Sequence, residues 1–176
     1  KYKEYDSYLI KGIIERRTGE YKDSIKSFKK VLSYKVVKDE DIIFSYKQCI
    51  FNEIALGRYF NAIEYAKIGL RKSAVYSYAR DYYMGDSEAW IIYIIYAYTN
   101  LEYFNEAYSW CNKLLLKCTK EIELIILIFR GYIESKFGKY ERSLEDLSKA
   151  FKINESDFKN RYFKIYGLNI ENLIYD

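Results

Sequence analysis

Few residues in this chain could do chemistry. Among 176 residues there is no His. That removes Ser–His and Cys–His nucleophile pairs, His-based zinc sites and the usual proton shuttle. Three cysteines, Cys49, Cys111 and Cys118, are an odd number at no metal-ligand spacing, and read as reduced, buried small residues in a cytoplasmic protein. The carboxylates that stand out are Glu15, Glu53 and Glu134. Lys11 lies four residues before Glu15, and Arg130 four before Glu134, so each pair shares a helix face and can form an ion pair. Two readings stay open: a partly solvated charged face, or inward carboxylates that set how helices tilt. A lone buried carboxylate would cost several kcal/mol, so burial of Glu53 without a partner is not expected. No enzyme chemistry and no cofactor are expected.

The elements that must position these residues are helical. The chain has no Pro and eight Gly, which suits helices joined by short turns. Three stretches keep one order of residue types: RTGEYKDSIKSFKKVL (17–32), ALGRYFNAIEYAKIGL (55–70) and KFGKYERSLEDLSKAF (136–151). Each has a Gly, one residue, a Tyr, two residues, a small residue and an apolar stripe at helical spacing. In the first, a helix over 4–17 is predicted, and Gly19 takes the left-handed conformation that ends it. Tyr21 fills the crook, Ser24 is small where helices approach, and Ile25, Phe28, Val31 and Leu32 form the stripe. A weaker copy, NLEYFNEAYSWCNKLL (100–115), has Phe104 in the aromatic slot and Ala107 in the small one. Glu102 replaces its turn Gly, so this turn is expected to differ in detail.

These units resemble the tetratricopeptide repeat family, whose pattern is W-x₂-L-G-x₂-Y in a first helix and A-x₃-F in a second. Ser24/Phe28, Ala62/Ala66, Ala107/Cys111 and Ser143/Leu147 occupy the second-helix slots. Tyr8, Tyr46, Ile91 and Leu127 take the Trp slot; Gly12 and Gly131 take the Gly slot, filled elsewhere by Ile50 and Ile95. The aromatic slots at Tyr21, Tyr59, Phe104 and Tyr140 are 38, 45 and 36 residues apart, longer than the family's usual period, and RKSAVYSYARDYYMGDS (71–87) is the plainest insertion. The resemblance implies an all-α fold, a right-handed α-solenoid of about four hairpins in a single domain. The repeats span about 5–34, 42–76, 88–118 and 121–155, and a capping helix spans 156–176. The opening KYKEYDSY lacks Met, which fits a fragment of a longer protein. The shared Gly-x-Ile-Glu in KGIIERRTGEY and RGYIESKFGKY is similar to the repeat domains of bacterial peptide-sensing regulators.

The family geometry implies a concave groove lined by first helices. Its candidate residues here are Arg16, Arg17, Lys47, Phe51, Tyr96, Asn100, Tyr132 and Lys136, beside Leu9, Ile13, Ile54, Ile92, Thr99, Ile128 and Ser135. Aromatics with cations at intervals suit a peptide with apolar anchors and a carboxylate. Chaperone-tail adaptors clamp a carboxylate with Asn and Lys at central sites. Ile13, Phe51, Tyr96 and Tyr132 stand there instead, so that clamp is not expected.

Net charge is +4, mild for a nucleic-acid binder. The runs WIIYIIYAY and IELIILIF fall short of the roughly 20 residues that span a bilayer, so no membrane partner is expected. They read as helices buried on most sides. The 22 Tyr fit AT-rich coding as well as function. The expected partner is a peptide or protein segment. Self-association into a scaffold, a homo-oligomer built through the edges of the stack, is the alternative, and a helical-repeat RNA binder a more distant one.

Overall fold

A computed structural model describes residues 3–77 and 86–153. Among them are eight α-helices and no strand. They are α1 (Asp6–Arg17), α2 (Tyr21–Leu32), α3 (Asp39–Ala55), α4 (Tyr59–Ser77), α5 (Asp86–Asn100), α6 (Phe104–Leu115), α7 (Lys120–Lys136) and α8 (Tyr140–Ile153). Neighbours in sequence pack on one another, the local arrangement of an α-solenoid. The capping helix expected over 156–176, and residues 78–85 of the 71–87 insertion, lie outside the described residues. The chain divides into two compact units, Lys1–Tyr93 and Ile94–Asp176, and α5 contributes to both.

Each hairpin turn closes in the same way. The N–H of Glu20 bonds the Glu15 carbonyl at 2.7 Å, and the N–H of Gly19 bonds the Arg16 carbonyl at 3.2 Å. This is the Schellman pattern, which satisfies two orphan carbonyls through one left-handed residue. It recurs as Arg58 to Glu53 and Gly57 to Ile54, and as Lys139 to Glu134 and Gly138 to Ser135, all at 2.8–2.9 Å. The third turn was expected to differ because it lacks Gly. It does not: Tyr103 bonds Tyr98 at 3.0 Å, Glu102 bonds Thr99 at 3.1 Å, and Glu102 itself holds φ at +61°. The flanking helices impose the turn, and Glu102 bears the left-handed strain.

Within the first unit the slots read as small are contact points. A Cβ on Gly12 would meet the Phe28 ring at 2.9 Å. The Ser24 hydroxyl donates to the Gly12 carbonyl at 2.7 Å and accepts from Asn52 Nδ2 at 2.8 Å, which ties α1, α2 and α3 together. Ile25, Phe28 and Cys49 form a core cluster, with Leu9, Ile13, Leu56 and Tyr65 packed against it. The Tyr5 phenol donates to Asp41 at 2.9 Å and joins the starts of α1 and α3. Three acidic residues in the first turn of α3, Asp39, Glu40 and Asp41, face its positive dipole end. Between α4 and α5, Gly69 leaves room for the Trp90 ring, whose indole N–H donates to Ser73 at 2.6 Å.

In the second unit Gly131 stands to Leu147 as Gly12 stands to Phe28, with 2.9 Å from a would-be Cβ to the nearest side-chain atom. The apolar runs are buried throughout from Trp90 to Ala97, and at Ile122 and from Leu124 to Phe129. The crook aromatics are not uniform: Tyr21, Tyr59 and Phe104 are half-buried, whereas Tyr140 is exposed. Tyr140 therefore does not fill its crook.

Two outcomes are expected. A left-handed L-residue costs roughly 1–2 kcal/mol, partly offset because Gly loosens the unfolded chain. Glu102→Gly should therefore raise the unfolding free energy by up to about 1 kcal/mol, measured by urea denaturation. Burial pushes the Cys49 thiol up to about 12 and raises that of Cys111, while Cys118 is half-exposed. The thiolate is the reactive form. A thiol reagent near neutral pH should label Cys118 first, and the other two only with unfolding.

Candidate functional site

The last turns of the first helices carry the residues of interest. In the first unit, α1, α3 and α5 meet along a row of rings and cations. The Arg16 guanidinium lies over the Phe51 ring at 5.0 Å. Phe51 meets Tyr93 edge-on at 5.4 Å, and Tyr93 meets Trp90 edge-on at 6.2 Å. Lys47 Nζ lies 5.5 Å from the Trp90 ring. Edge-to-face rings at such distances and cations over ring faces are each favourable by roughly 0.5–1.5 kcal/mol. Arg16, Lys47 and Phe51 are thus brought together and half-buried. Arg17 is exposed one position further round the helix. Trp90 and Tyr93 complete the row but were absent from the sequence candidates. Their three-residue spacing, with Lys47 and Phe51 four apart on the preceding first helix, was the available signal.

In the second unit Lys136 Nζ lies 4.7 Å from the Tyr132 ring, and Tyr132 meets Phe104 edge-on at 6.3 Å. Tyr96 is buried and meets Phe129 edge-on at 6.3 Å. Asn100 is exposed and spends one amide N–H on the Tyr96 carbonyl at 2.8 Å, so its carbonyl and second N–H are what it could offer a peptide. Ile92, Thr99 and Ile128, placed on the same edge by the resemblance, are buried. Leu9, Ile13, Ile54 and Ser135 are half-buried.

Glu15, Glu53 and Glu134 are all buried, so the partly solvated face does not hold. Glu15 accepts from the Ser27 hydroxyl at 2.6 Å, and Lys11 lies 3.7 Å away. Glu134 accepts from the Tyr108 phenol at 3.0 Å. Glu53 is buried but not alone: Arg58 lies 3.9 Å away as its ion-pair partner. Each acid belongs to the residue whose carbonyl closes the Schellman turn, which draws its side chain into the crook between the paired helices.

The anticipated Arg130–Glu134 pair is replaced by a different one. Arg130 Nε and Nη2 both bond Asp146 on α8, the latter at 2.6 Å, and Nη1 bonds Asn112 Oδ1 on α6 at 3.1 Å. A planar fork matches a carboxylate with two parallel bonds, a geometry Asp146 offers across the hairpin. Asp146 is buried, and the Arg130 side chain is 22% exposed.

Among the described residues no group of His, Cys, Asp and Glu could hold a metal ion, and no helix is long and apolar enough to cross a membrane. The chain matches no protein-family model. No curated protein matches it in sequence. Among solved structures, one titled MamA MSR-1 C2 aligns with 86% of this chain and 97% of its own length, at 16% identity and a TM-score of 0.39. A likeness at that score carries no argument about fold or function.

Removing one member of a buried pair strands the other charge, at a cost of about 3–5 kcal/mol. Arg130→Ala should therefore lower the unfolding free energy by roughly 3 kcal/mol or more. Lys11→Ala, whose cation is mostly exposed, should change it by less than about 1 kcal/mol. Chemical denaturation of the two variants side by side checks both.

Proposed function

We propose that the chain is a protein-interaction module of the tetratricopeptide type. It binds an extended peptide or protein segment along the first helices of its hairpins. The observation that carries this reading is the row Arg16, Phe51, Tyr93, Trp90 and Lys47. A guanidinium stacked on a ring keeps its N–H edge directed outward, ready for a carboxylate. The half-buried Phe51 ring beside it offers contact area with few torsions left to freeze, and the buried Tyr93 and Trp90 rings back it from within the core. Ordered cation–ring stacking also means that little side-chain entropy remains to be lost on binding.

Lys136 over Tyr132, with the exposed amide of Asn100, extends the same chemistry into the second unit's own surface. The preferred ligand has aromatic or aliphatic anchors and at least one acidic group. The buried thiols of Cys49 and Cys111 suit a reducing compartment, and we place the module in the cytoplasm. We further propose the role of sensor part in a bacterial regulator, in which a bound peptide changes how neighbouring hairpins pack.

A peptide selected from a random displayed library against the chain provides the probe. Arg16→Glu with Arg17→Glu should weaken its binding by roughly tenfold or more in calorimetry while the helical circular dichroism stays unchanged. Unchanged affinity would remove the α1 cations from the site. A binding constant that falls steeply with salt for single-stranded RNA would favour the RNA-binding alternative instead.

A further inference from the structure

The repeat register shows on α8 and α1 exposed apolar residues whose counterparts on α2 and α3 are buried. Positions in α1 and α2 recur 38 residues later in α3 and α4, and 119 residues later in α7 and α8, as Glu15, Glu53 and Glu134 mark. Within the first unit, α2 presents Ser24, Ile25 and Phe28 to α3. Asn52 bonds Ser24, Phe44 meets Phe28 edge-on at 6.0 Å, and Cys49 closes the cluster with Ile25 and Phe28.

The register places Leu144 of α8 where α2 has Ile25. Ile25 is 6% exposed, and Leu144 is 65% exposed. Tyr140, one turn before it, is exposed as well. Conversely, Gln48 and Asn52 of α3 correspond to Ile10 and Ile14 of α1. Gln48 and Asn52 are buried at 9% and 0%, whereas Ile10 and Ile14 are 51% and 55% exposed. So α8 has the surface that α2 buries, and α1 has the surface that α3 buries. Each lacks the other half.

We propose that α8 of one copy of this chain docks on α1 of a second copy in the register of α2 on α3. Leu144 then lies against Ile14 and the aliphatic stem of Lys11, as Ile25 lies against Cys49 in the first unit. One acid and one base can meet across the contact: Glu141 stands three residues before Leu144, and Lys11, which also lies 3.7 Å from Glu15, sits between Ile10 and Ile14, while Glu145 is paired with Lys149 at 2.6 Å. Open hollows border both faces, about 540 Å³ beside Ser7, Ile10 and Ile14, and about 520 Å³ beside Tyr140 and Glu141. Such a contact is heterologous. It leaves every pair with one unused α1 and one unused α8, so assembly continues beyond the dimer.

Sedimentation velocity of the full chain over a concentration series tests this. The weight-average sedimentation coefficient should rise with concentration. Ile14→Glu and Leu144→Glu should each weaken self-association by roughly tenfold or more, since each puts a charge into an apolar contact. Both positions are more than half exposed in one copy, so helicity should not change. Should Ile14→Glu lose helicity, Lys11→Glu takes its place, and adding Glu141→Lys to the same chain should restore assembly. The decisive arm mixes the two single variants. One retains an intact α8 and the other an intact α1, so the mixture should form a 1:1 dimer and nothing larger. The proposal is overturned if the unmodified chain stays monomeric at every concentration. It is equally overturned if Leu144→Glu alone associates as strongly as the unmodified chain, or if the mixture associates no better than either variant alone.

Discussion

The left-handed residue after each first helix is the constraint on which the rest of the molecule depends. It lets the next two N–H groups turn back onto the last carbonyls, which reverses the chain within three residues. That reversal brings Gly12 under Phe28 and Gly131 under Leu147. It also brings Ser24 within reach of the Gly12 carbonyl. Because the same bond pattern closes all four turns, the hairpins share one geometry although their sequences share few identities. Glu102 demonstrates how strong the constraint is. A residue with no preference for positive φ is held at +61° because packing on both sides of the turn demands it.

Polar groups inside the hairpins follow from that geometry. The carboxylates at Glu15, Glu53 and Glu134 sit on the residue whose carbonyl receives the turn bond, so they enter the crook rather than solvent. Ser27 and Tyr108 donate to two of them. Arg130 meets the larger demand of Asp146 in the second unit and holds Asn112 of α6 as well. Buried ionic groups of this kind cost more to desolvate than an apolar pair. Here the Arg130 fork ties α7 to both α6 and α8.

The ring-and-cation rows of each unit and the exposed faces of α1 and α8 differ in chemistry. Along the first helices, cations lie on rings that are themselves packed edge-on, so the side chains are ordered before any partner arrives. The exposed faces of α1 and α8 instead carry apolar residues, Ile10, Ile14 and Leu144, whose register counterparts are buried. The first suits recognition of a charged, extended segment, and the second suits continuation of the helical packing by another copy.

Much of the architecture was written locally. The turn glycines, the small slots and the apolar stripes were visible because each rests on a property of one residue type: freedom at positive φ, small volume, or period-3.6 burial. The first helix, expected over 4–17, runs from Asp6 to Arg17. Arg16, Lys47 and Phe51 were also legible as candidates, since family geometry puts them on one edge. What the chain could not declare was which neighbour each polar group would choose. Arg130 is equally placed in sequence for Glu134, yet takes Asp146, sixteen residues on, because only the folded hairpin offers a carboxylate to both forks. Trp90 filled the space above Gly69, and Glu102 accepted a glycine's conformation, for the same reason. Sequence by itself determined that the chain makes helical hairpins and where each one turns. Tertiary structure alone decided ion-pair partners, strain and exposure, because those depend on distances across the fold that no spacing along the chain encodes.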